Sequence, residues 1–310
     1  FLYDKNALRR LHCRGIVIEM EEMVMGQERI IHAALLGAGT VGSGVYKLVK
    51  DLEEEIISKT GARLVVDKIL VRDTTKAREG IPSELLIDRW DEILNDPQIE
   101  IVIEVMGGIR PALTWLEEAL RAGKQVVTAN KDLLAEYGEQ LFDAAEAGKC
   151  DLHFEAAVAG AIPIIRPLKE CLAGNHMAEV MGIVNGTTNF ILTKMTQDGM
   201  EFKDALALAT ELGYAEADPT ADIEGLDAGR KVAILASVAF NSRVVFDDVY
   251  IEGITKITAK DIKYAKEMGC DIKLLGVAKN TEDGVEAYVC PMLIPSSHPL
   301  ASVNDSYNAV

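Results

Sequence analysis

The chain has 310 residues, 49% of them hydrophobic and 26% charged, the balance of a soluble globular protein with one large or two ordinary domains. Its formal net charge of −17 argues against nucleic acid as a partner, because a polyanion is repelled. No apolar run is long enough to span a membrane, and the N-terminal stretch lacks the apolar centre and small-residue cleavage site of a secretory signal.

Five widely spaced cysteines, Cys13, Cys150, Cys171, Cys270 and Cys290, include no C-x-x-C pair, which predicts reduced thiols in a cytoplasmic protein. The five histidines are equally scattered, so no zinc site is expected. The chain opens at Phe1, with a natural start offered by Met20 in "MEEMVMGQERI", and closes on "SVNDSYNAV". Both ends read as the edges of a fragment or of an imperfect gene boundary.

From Ile30 onward, short apolar runs alternate with longer amphipathic ones, as in a parallel sheet with crossover helices. "IIHAALLG" reads as a buried strand and "VGSGVYKLVKDLEEEIISK" as the helix after it. "ARLVVDKILVR" is a second strand, "WDEILNDP" a short helix, and "IEIVIEVM" a strand rich in β-branched residues. "RPALTWLEEALRAG" carries proline near its start and glycine at its end, a helix signature. "KQVVTAN" and "CDLHFEAAV" are further strands on either side of the helix "KDLLAEYGEQLFDAAEAG". After about Ala157 helices dominate, at 163–173, 187–197, 201–212 and 225–240, with strands at 178–184, 271–277 and 285–292. The fold class expected is α/β: a Rossmann-type doubly wound parallel sheet over 27–155, then an α+β unit over 156–310.

The first chemical stretch is "LLGAGTVGSG", where Gly37, Gly39 and Gly42 form G-x-G-x-x-G between a buried strand and a helix. The first glycine permits the turn, the second lets a pyrophosphate approach, and the third lets helix and strand pack closely. Thr40 and Val41 complete the cofactor-binding turn, whose helix N-terminus offers free N–H groups to phosphate. The second strand ends Val71-Arg72-Asp73, with Lys76 and Arg78 beyond. An acid there suits NAD and a base suits NADP. Arg72 with Lys76 or Arg78 favours NADP, while Asp73 keeps NAD as the alternative.

Asn130 and Lys131 follow a parallel strand at its carboxyl end, where open α/β sheets bind ligands. A lysine opposes the helix dipole there, which points to an anionic partner, against the plainer reading of an exposed side chain. "EAAVAGAIPIIRPL" is small and irregular from Ala156 to Ile162. Such a loop either turns carbonyls towards a hard cation or makes a tight domain crossover. "GYAEADPTADIEGLD" gathers Glu216, Asp218, Asp222, Glu224 and Asp227 before a helix, as caps or as a grip for an ammonium group. Asp227 and Lys231 then lie one turn apart on the side that continues through Ile234, Leu235 and Val238. A structural salt bridge is the simple reading; a proton-handling pair at a cleft edge is the functional one.

"GAGTVG", "TANK", "EAAVAGAIPIIRPL", "MGIVNGTTNFILTKM", "GYAEADPTADIEGLDAGRKVAILA" and "HPLASVND" occur here in the order found in homoserine dehydrogenases. The chain resembles that family from about Ile30 to Val310. The glycine motif is widely shared, but the blocks at 182–195 and 218–236 are far more specific. The resemblance implies reversible, pyridine-nucleotide-dependent reduction of L-aspartate 4-semialdehyde to L-homoserine, on the way to threonine, isoleucine and methionine. It implies that Lys231 is the catalytic lysine and Asp227 its partner, with Lys231 giving a proton to the aldehyde oxygen. Glu216 and Asp222 would hold the substrate's amino group, and Lys131 would face cofactor and substrate. Glu155, Val158, Gly160 and Ile162 match positions whose main-chain carbonyls bind a monovalent cation, usually sodium. The second unit would carry the substrate site and much of the contact of a homodimer or higher homo-oligomer.

Residues 1–26 match nothing in the family. Its members continue past "NAV" into a glycine-rich stretch that returns to the nucleotide domain, and many add an ACT domain. Two rivals stand beside this reading. A phosphate-dependent semialdehyde dehydrogenase needs an activated cysteine, yet Cys150 and Cys171 lie in helical contexts without an evident histidine. A nucleotide-binding sensor would use Asp227 and Lys231 only as a salt bridge.

Overall fold

The computed structural model describes residues 29–310; the segment 1–26, with Cys13 and the start expected at Met20, lies outside them. In order come β1 (Arg29–Leu36), α1 (Thr40–Asp51), α2 (Glu53–Thr60), β2 (Ala62–Leu70), β3 (Leu86–Ile87), α3 (Asp91–Leu94), β4 (Ile99–Glu104), α4 (Ala112–Arg121), β5 (Gln125–Thr128), α5 (Lys131–Gly148) and β6 (Leu152–His153). These strands form a parallel sheet in the order β3-β2-β1-β4-β5-β6, the doubly wound arrangement that the alternating pattern predicts. Strand β1 is buried on both faces. Leu35 packs with Val66 and Ile69 on the α1 side, while Ala34 and Leu36 join Leu113 and Leu116 of α4 on the other. The strand order reverses between β1 and β4, so a crevice opens at their carboxyl ends.

Two expected elements differ. The helix expected to run unbroken through residue 59 breaks at Leu52 (φ −107°). Glu53, Glu54 and Glu55 form a new acidic first turn there, which favours a helix start. The strand expected in "CDLHFEAAV" shrinks to Leu152–His153. Beyond it the Glu155 carboxylate accepts the N–H groups of Ile164 (2.6 Å), Ile165 (2.8 Å) and Arg166 (2.8 Å). These bonds fold the chain back on itself, and residues 155–157 form a 3₁₀ turn instead.

The second part comprises β7 (Glu179–Gly182), α6 (Gly186–Gln197), α7 (Phe202–Glu211), α8 (Thr220–Ile223), α9 (Leu226–Phe240), β8 (Tyr250–Ile251), α10 (Ala259–Glu267), β9 (Cys270–Thr281) and β10 (Gly284–Pro295). Its sheet has the order β7-β9-β10-β8, centred on the antiparallel β9–β10 hairpin. The helix expected at 163–173 shortens to 165–171, of which Pro167–Cys171 is π-helical. Helix α9 lies close on the sheet: a Cβ added to Gly276 would come within 2.4 Å of Val232 Cγ2. Helices α5 and α9 pack together, and Arg230 on α9 pairs with Asp132 on α5 (2.8 Å). This contact brings the carboxyl edge of the first sheet to the start of α9.

Candidate active site

The glycine turn divides its work as the spacing predicts. Gly37 takes φ 101°, a conformation that L side chains rarely adopt, and its N–H donates to the Leu70 carbonyl (3.0 Å). A Cβ on Gly42 would stand 2.1 Å from the Gly37 oxygen, whereas one on Gly39 would meet nothing within 4 Å. Gly39 caps α1 without a side-chain bond, and the first turn holds no acid. Its N–H groups and dipole are therefore available to an anion.

A cavity of about 630 Å³ lies against this turn, lined by Gly37 and Gly39 and by the basic side chains Arg72, Lys76, Arg78 and Arg110. Thr40, Val41 and Gly42 belong to the first turn of α1 and are not among its lining residues. Asp73 does not line it either. Its Oδ1 accepts from the Thr75 hydroxyl (2.6 Å) and N–H (2.9 Å), bonds that hold its carboxyl below the usual carboxylate value. The lining thus fits a dinucleotide, with the glycine turn at one part of the cavity and the four cations, beside Asp88, at another.

The sequence reading missed Glu104, the last residue of β4, which is fully buried. Its carboxylate accepts from Met106 N–H (2.8 Å), Gly107 N–H (3.0 Å) and the Thr128 hydroxyl (2.6 Å). It shapes the loop that lines the cavity, and the signal was a carboxylate inside a β-branched run. Asn130 accepts from Leu133 N–H (3.2 Å) to cap α5 and donates to Gly108 O (2.7 Å), so the same loop is tied to the helix that begins with Lys131.

The acid–lysine pair is present and is more than a pair. Lys231 Nζ donates to Asp227 Oδ2 (2.6 Å) and to the Val184 carbonyl (2.7 Å). Lys131 Nζ reaches Asp227 Oδ1 at 3.2 Å from the other sheet. Asn185, also missed, donates to Asp227 Oδ2 (2.9 Å) and Asp222 Oδ1 (2.7 Å). Burial pushes the buried Asp227 carboxyl up, but Lys231, Asn185 and Lys131 together outweigh it and hold it below its ordinary value. Lys131, Asp222, Asp227 and Lys231 therefore meet. Glu216 does not join them: it is exposed in the turn between α7 and α8.

In the 155–162 loop, Ala159 and Ala161 have positive φ (47° and 69°). The Ala159 carbonyl accepts from Ile162 N–H (2.8 Å), while those of Val158, Gly160 and Ile162 accept no backbone hydrogen bond among the described residues. Glu155 spends its carboxylate on the turn at 164–166. The four described cysteines are free thiols. None lines the cavity, and burial pushes the Cys150 thiol up. A second cavity, of about 420 Å³ and bordered by Phe142, Phe154, Ile234 and Val238, holds none of the expected site residues.

Comparison with known proteins agrees with this arrangement. Residues 37–155 match the family model "Homoserine dehydrogenase, NAD binding domain" and residues 163–310 the model "Homoserine dehydrogenase". The chain is 46% identical over 283 residues to the homoserine dehydrogenase of Bacillus subtilis, covering 91% of this chain and 65% of that protein. It is 51% identical over 290 residues to that of Corynebacterium glutamicum, covering 92% and 65%. It thus spans about two thirds of the length of these relatives, 65% in each. The crystal structure of a homoserine dehydrogenase from Thiobacillus denitrificans superposes with a TM-score of 0.86 at 45% identity, over 90% of this chain and 65% of that one. A putative homoserine dehydrogenase from Archaeoglobus fulgidus does so with a TM-score of 0.78 at 32% identity, over 90% and 88%. With family models matching residues 37–155 and 163–310, and with a solved relative 32% identical over 88% of its own length, the chain belongs to the homoserine dehydrogenase family.

Proposed function

We propose that this chain carries the reversible, NADP-dependent reduction of L-aspartate 4-semialdehyde to L-homoserine, and so serves the formation of threonine, isoleucine and methionine. The observation that carries the reading is the meeting of Lys131, from the carboxyl edge of the nucleotide sheet, with Asp227 and Lys231 of α9. A bare structural salt bridge would not need a second lysine from another sheet at that edge.

When bound, the nicotinamide supplies the hydride. Everything else falls to the chain's own side chains. Lys231 Nζ gives its proton to the aldehyde oxygen, and its preorganised positive charge stabilises the negative charge growing there. Asp227 orients Lys231 through Oδ2 and Lys131 through Oδ1. Asp222 binds the substrate's ammonium group, and the reacting carbon is thereby aligned; for Glu216, exposed in the α7–α8 turn, the same role rests on the family resemblance alone. Lys131 faces both substrate and cofactor.

NADP rather than NAD is supported by the basic lining of the cavity and by the engagement of Asp73 with Thr75. A monovalent cation, sodium by preference, fits the carbonyls of Val158, Gly160 and Ile162, with Glu155 supplying the fourth position. The domain division follows the sheets, 27–155 and 156–310. Homo-oligomer formation through the second unit rests on the family resemblance, and the cytoplasm suits the free thiols. The cysteine-dependent rival loses support because no described cysteine lines the nucleotide cavity.

The test follows NADPH oxidation with L-aspartate 4-semialdehyde in the chain and in Lys231→Ala. Turnover should fall by roughly 10²- to 10⁴-fold, the usual worth of a positioned proton donor, in a variant that still folds and binds NADPH. NADPH binding with no turnover in either protein would favour the nucleotide-sensor reading.

A further inference from the structure

Asn185 lies immediately before α6, is 5% exposed, and has every hydrogen-bonding position of its amide filled. The amide nitrogen donates to Asp222 Oδ1 (2.7 Å) and Asp227 Oδ2 (2.9 Å). The amide oxygen accepts from the Thr188 N–H (2.8 Å) and hydroxyl (2.9 Å). This arrangement admits one orientation only. A flipped amide would set its oxygen against two carboxylates and its N–H groups against the Thr188 N–H. A group that only donates, held between two acids, separates their like charges, and it helps to hold the Asp227 carboxyl below its ordinary value.

The placement has a consequence for catalysis, which rests on the function proposed above. Asp222 is the acid assigned to the substrate's ammonium group, and Asp227 is the acid that orients the proton donor. The Asn185 amide bonds both acids at once. We propose that Asn185 is a positioning residue for this reaction: it ties the ammonium-binding acid to the acid that aims Lys231, so that the two ends of the substrate meet groups at a fixed separation. It needs no contact with substrate to do so.

Two substitutions separate this role from a merely structural one. Asn185→Asp keeps an oxygen for Thr188, and hence the helix cap, but loses both donated hydrogen bonds and adds a third carboxylate. The groups that face the new carboxyl are Asp222 from α8, Asp227 and Lys231 from α9, and Lys131 from α5 through Asp227. A cluster of three acids takes up a proton more readily than an isolated one, and that proton restores one donor. The variant should therefore lose kcat at neutral pH by roughly 10- to 100-fold, as misaligned reacting groups do, with a lower thermal midpoint from the crowded charges, and regain part of both as pH is lowered. Asn185→Ala cannot be rescued by a proton, so its loss in kcat should persist across the same range while KM rises.

Wild-type kcat and KM in both variants would overturn the proposal, as would an Asn185→Asp loss in kcat that is independent of pH. If the wild-type chain itself shows no turnover, the proposed activity fails first. Carboxyl carbon-13 NMR titration then decides the role of Asn185 alone. Asn185→Ala should move the titration of Asp227 to higher pH than in wild type, since the Asn185 amide is one of the groups that lower it, and an unmoved titration would sink the idea.

Discussion

Asp73 and Arg72 are neighbours at the end of β2, yet only Arg72 lines the nucleotide cavity, because the Asp73 carboxylate is bound in its own turn by Thr75. From residue types alone Arg72 favours NADP while Asp73 keeps NAD open; side-chain direction supports the NADP reading proposed above. If Arg72 meets the 2′-phosphate, Arg72→Ala should weaken NADPH relative to NADH by roughly 10- to 100-fold, since hydrogen bonds to charged groups contribute about 1.5–3 kcal/mol. Asp73→Ala should leave the ratio nearly unchanged. Fluorescence titration of both cofactors against both variants checks this, and a ratio that moves with Asp73 instead would reverse the assignment. The same lesson holds for the acid–lysine cluster. Asp227 and Lys231 were legible because one helical turn separates them, and Lys131 because a strand's carboxyl end is a place with meaning. Asn185 reaches Asp227 from 42 positions earlier in the chain, so no local pattern announced it. Glu104 could have been noticed, since a carboxylate in an otherwise β-branched strand must be satisfied on burial.

At the level of elements, the alternation of buried strand and amphipathic helix was enough to place most of the first sheet. What escaped was short or governed by distant bonds. Strands β3 and β8 have two residues each, too few to display a period. Helix α10 did carry a signal, the reciprocal cap between Thr258 and Asp261. The loss of most of the expected strand near Cys150 depends on Glu155 catching three N–H groups nine to eleven positions later. The strand–turn–helix at the nucleotide site is the element most open to test, because its glycines have different duties. Gly42→Ala would drive a Cβ to 2.1 Å from the Gly37 oxygen, pushing α1 off β1. Overpacking of this kind costs about 1–3 kcal/mol, which calorimetry should register as a lower thermal midpoint together with weaker NADPH binding. Gly39→Ala meets no protein atom within 4 Å, so the midpoint should hold while NADPH binding falls. If both variants lost stability equally, or Gly39→Ala bound NADPH normally, the approach of a pyrophosphate at Gly39 would be wrong.

Across the whole molecule, Asp227 is the buried point at which the two parts are joined by charge, beside the Arg230–Asp132 and Arg243–Glu139 pairs. Lys131 arrives from α5, and Lys231 and Asn185 from the second part. Because the two lysines would otherwise face one another, the joint depends on Asp227 remaining ionised, and stability should carry that signature. Burial alone would raise its pKa, but Lys231, Asn185 and Lys131 prevail and the native value is lowered. Between that lowered value and the unfolded value of about 3.9, the unfolded chain binds more protons than the native one, so stability rises with pH there. The contribution is complete above the unfolded value and disappears as pH falls through the native one. Exposed carboxylates titrate in the same region, so wild type alone cannot isolate the effect; the difference from Asp227→Asn can. At neutral pH the variant, with two ammonium groups facing a neutral amide, should melt below wild type. As pH falls below the unfolded value and then through the lowered native one, native Asp227 takes up its proton and the two midpoints should converge. A gap that stays constant on acidification would mean that Asp227 draws no native-state stabilisation from its lysines, leaving the packing of α5 on α9 to hold the two sheets together.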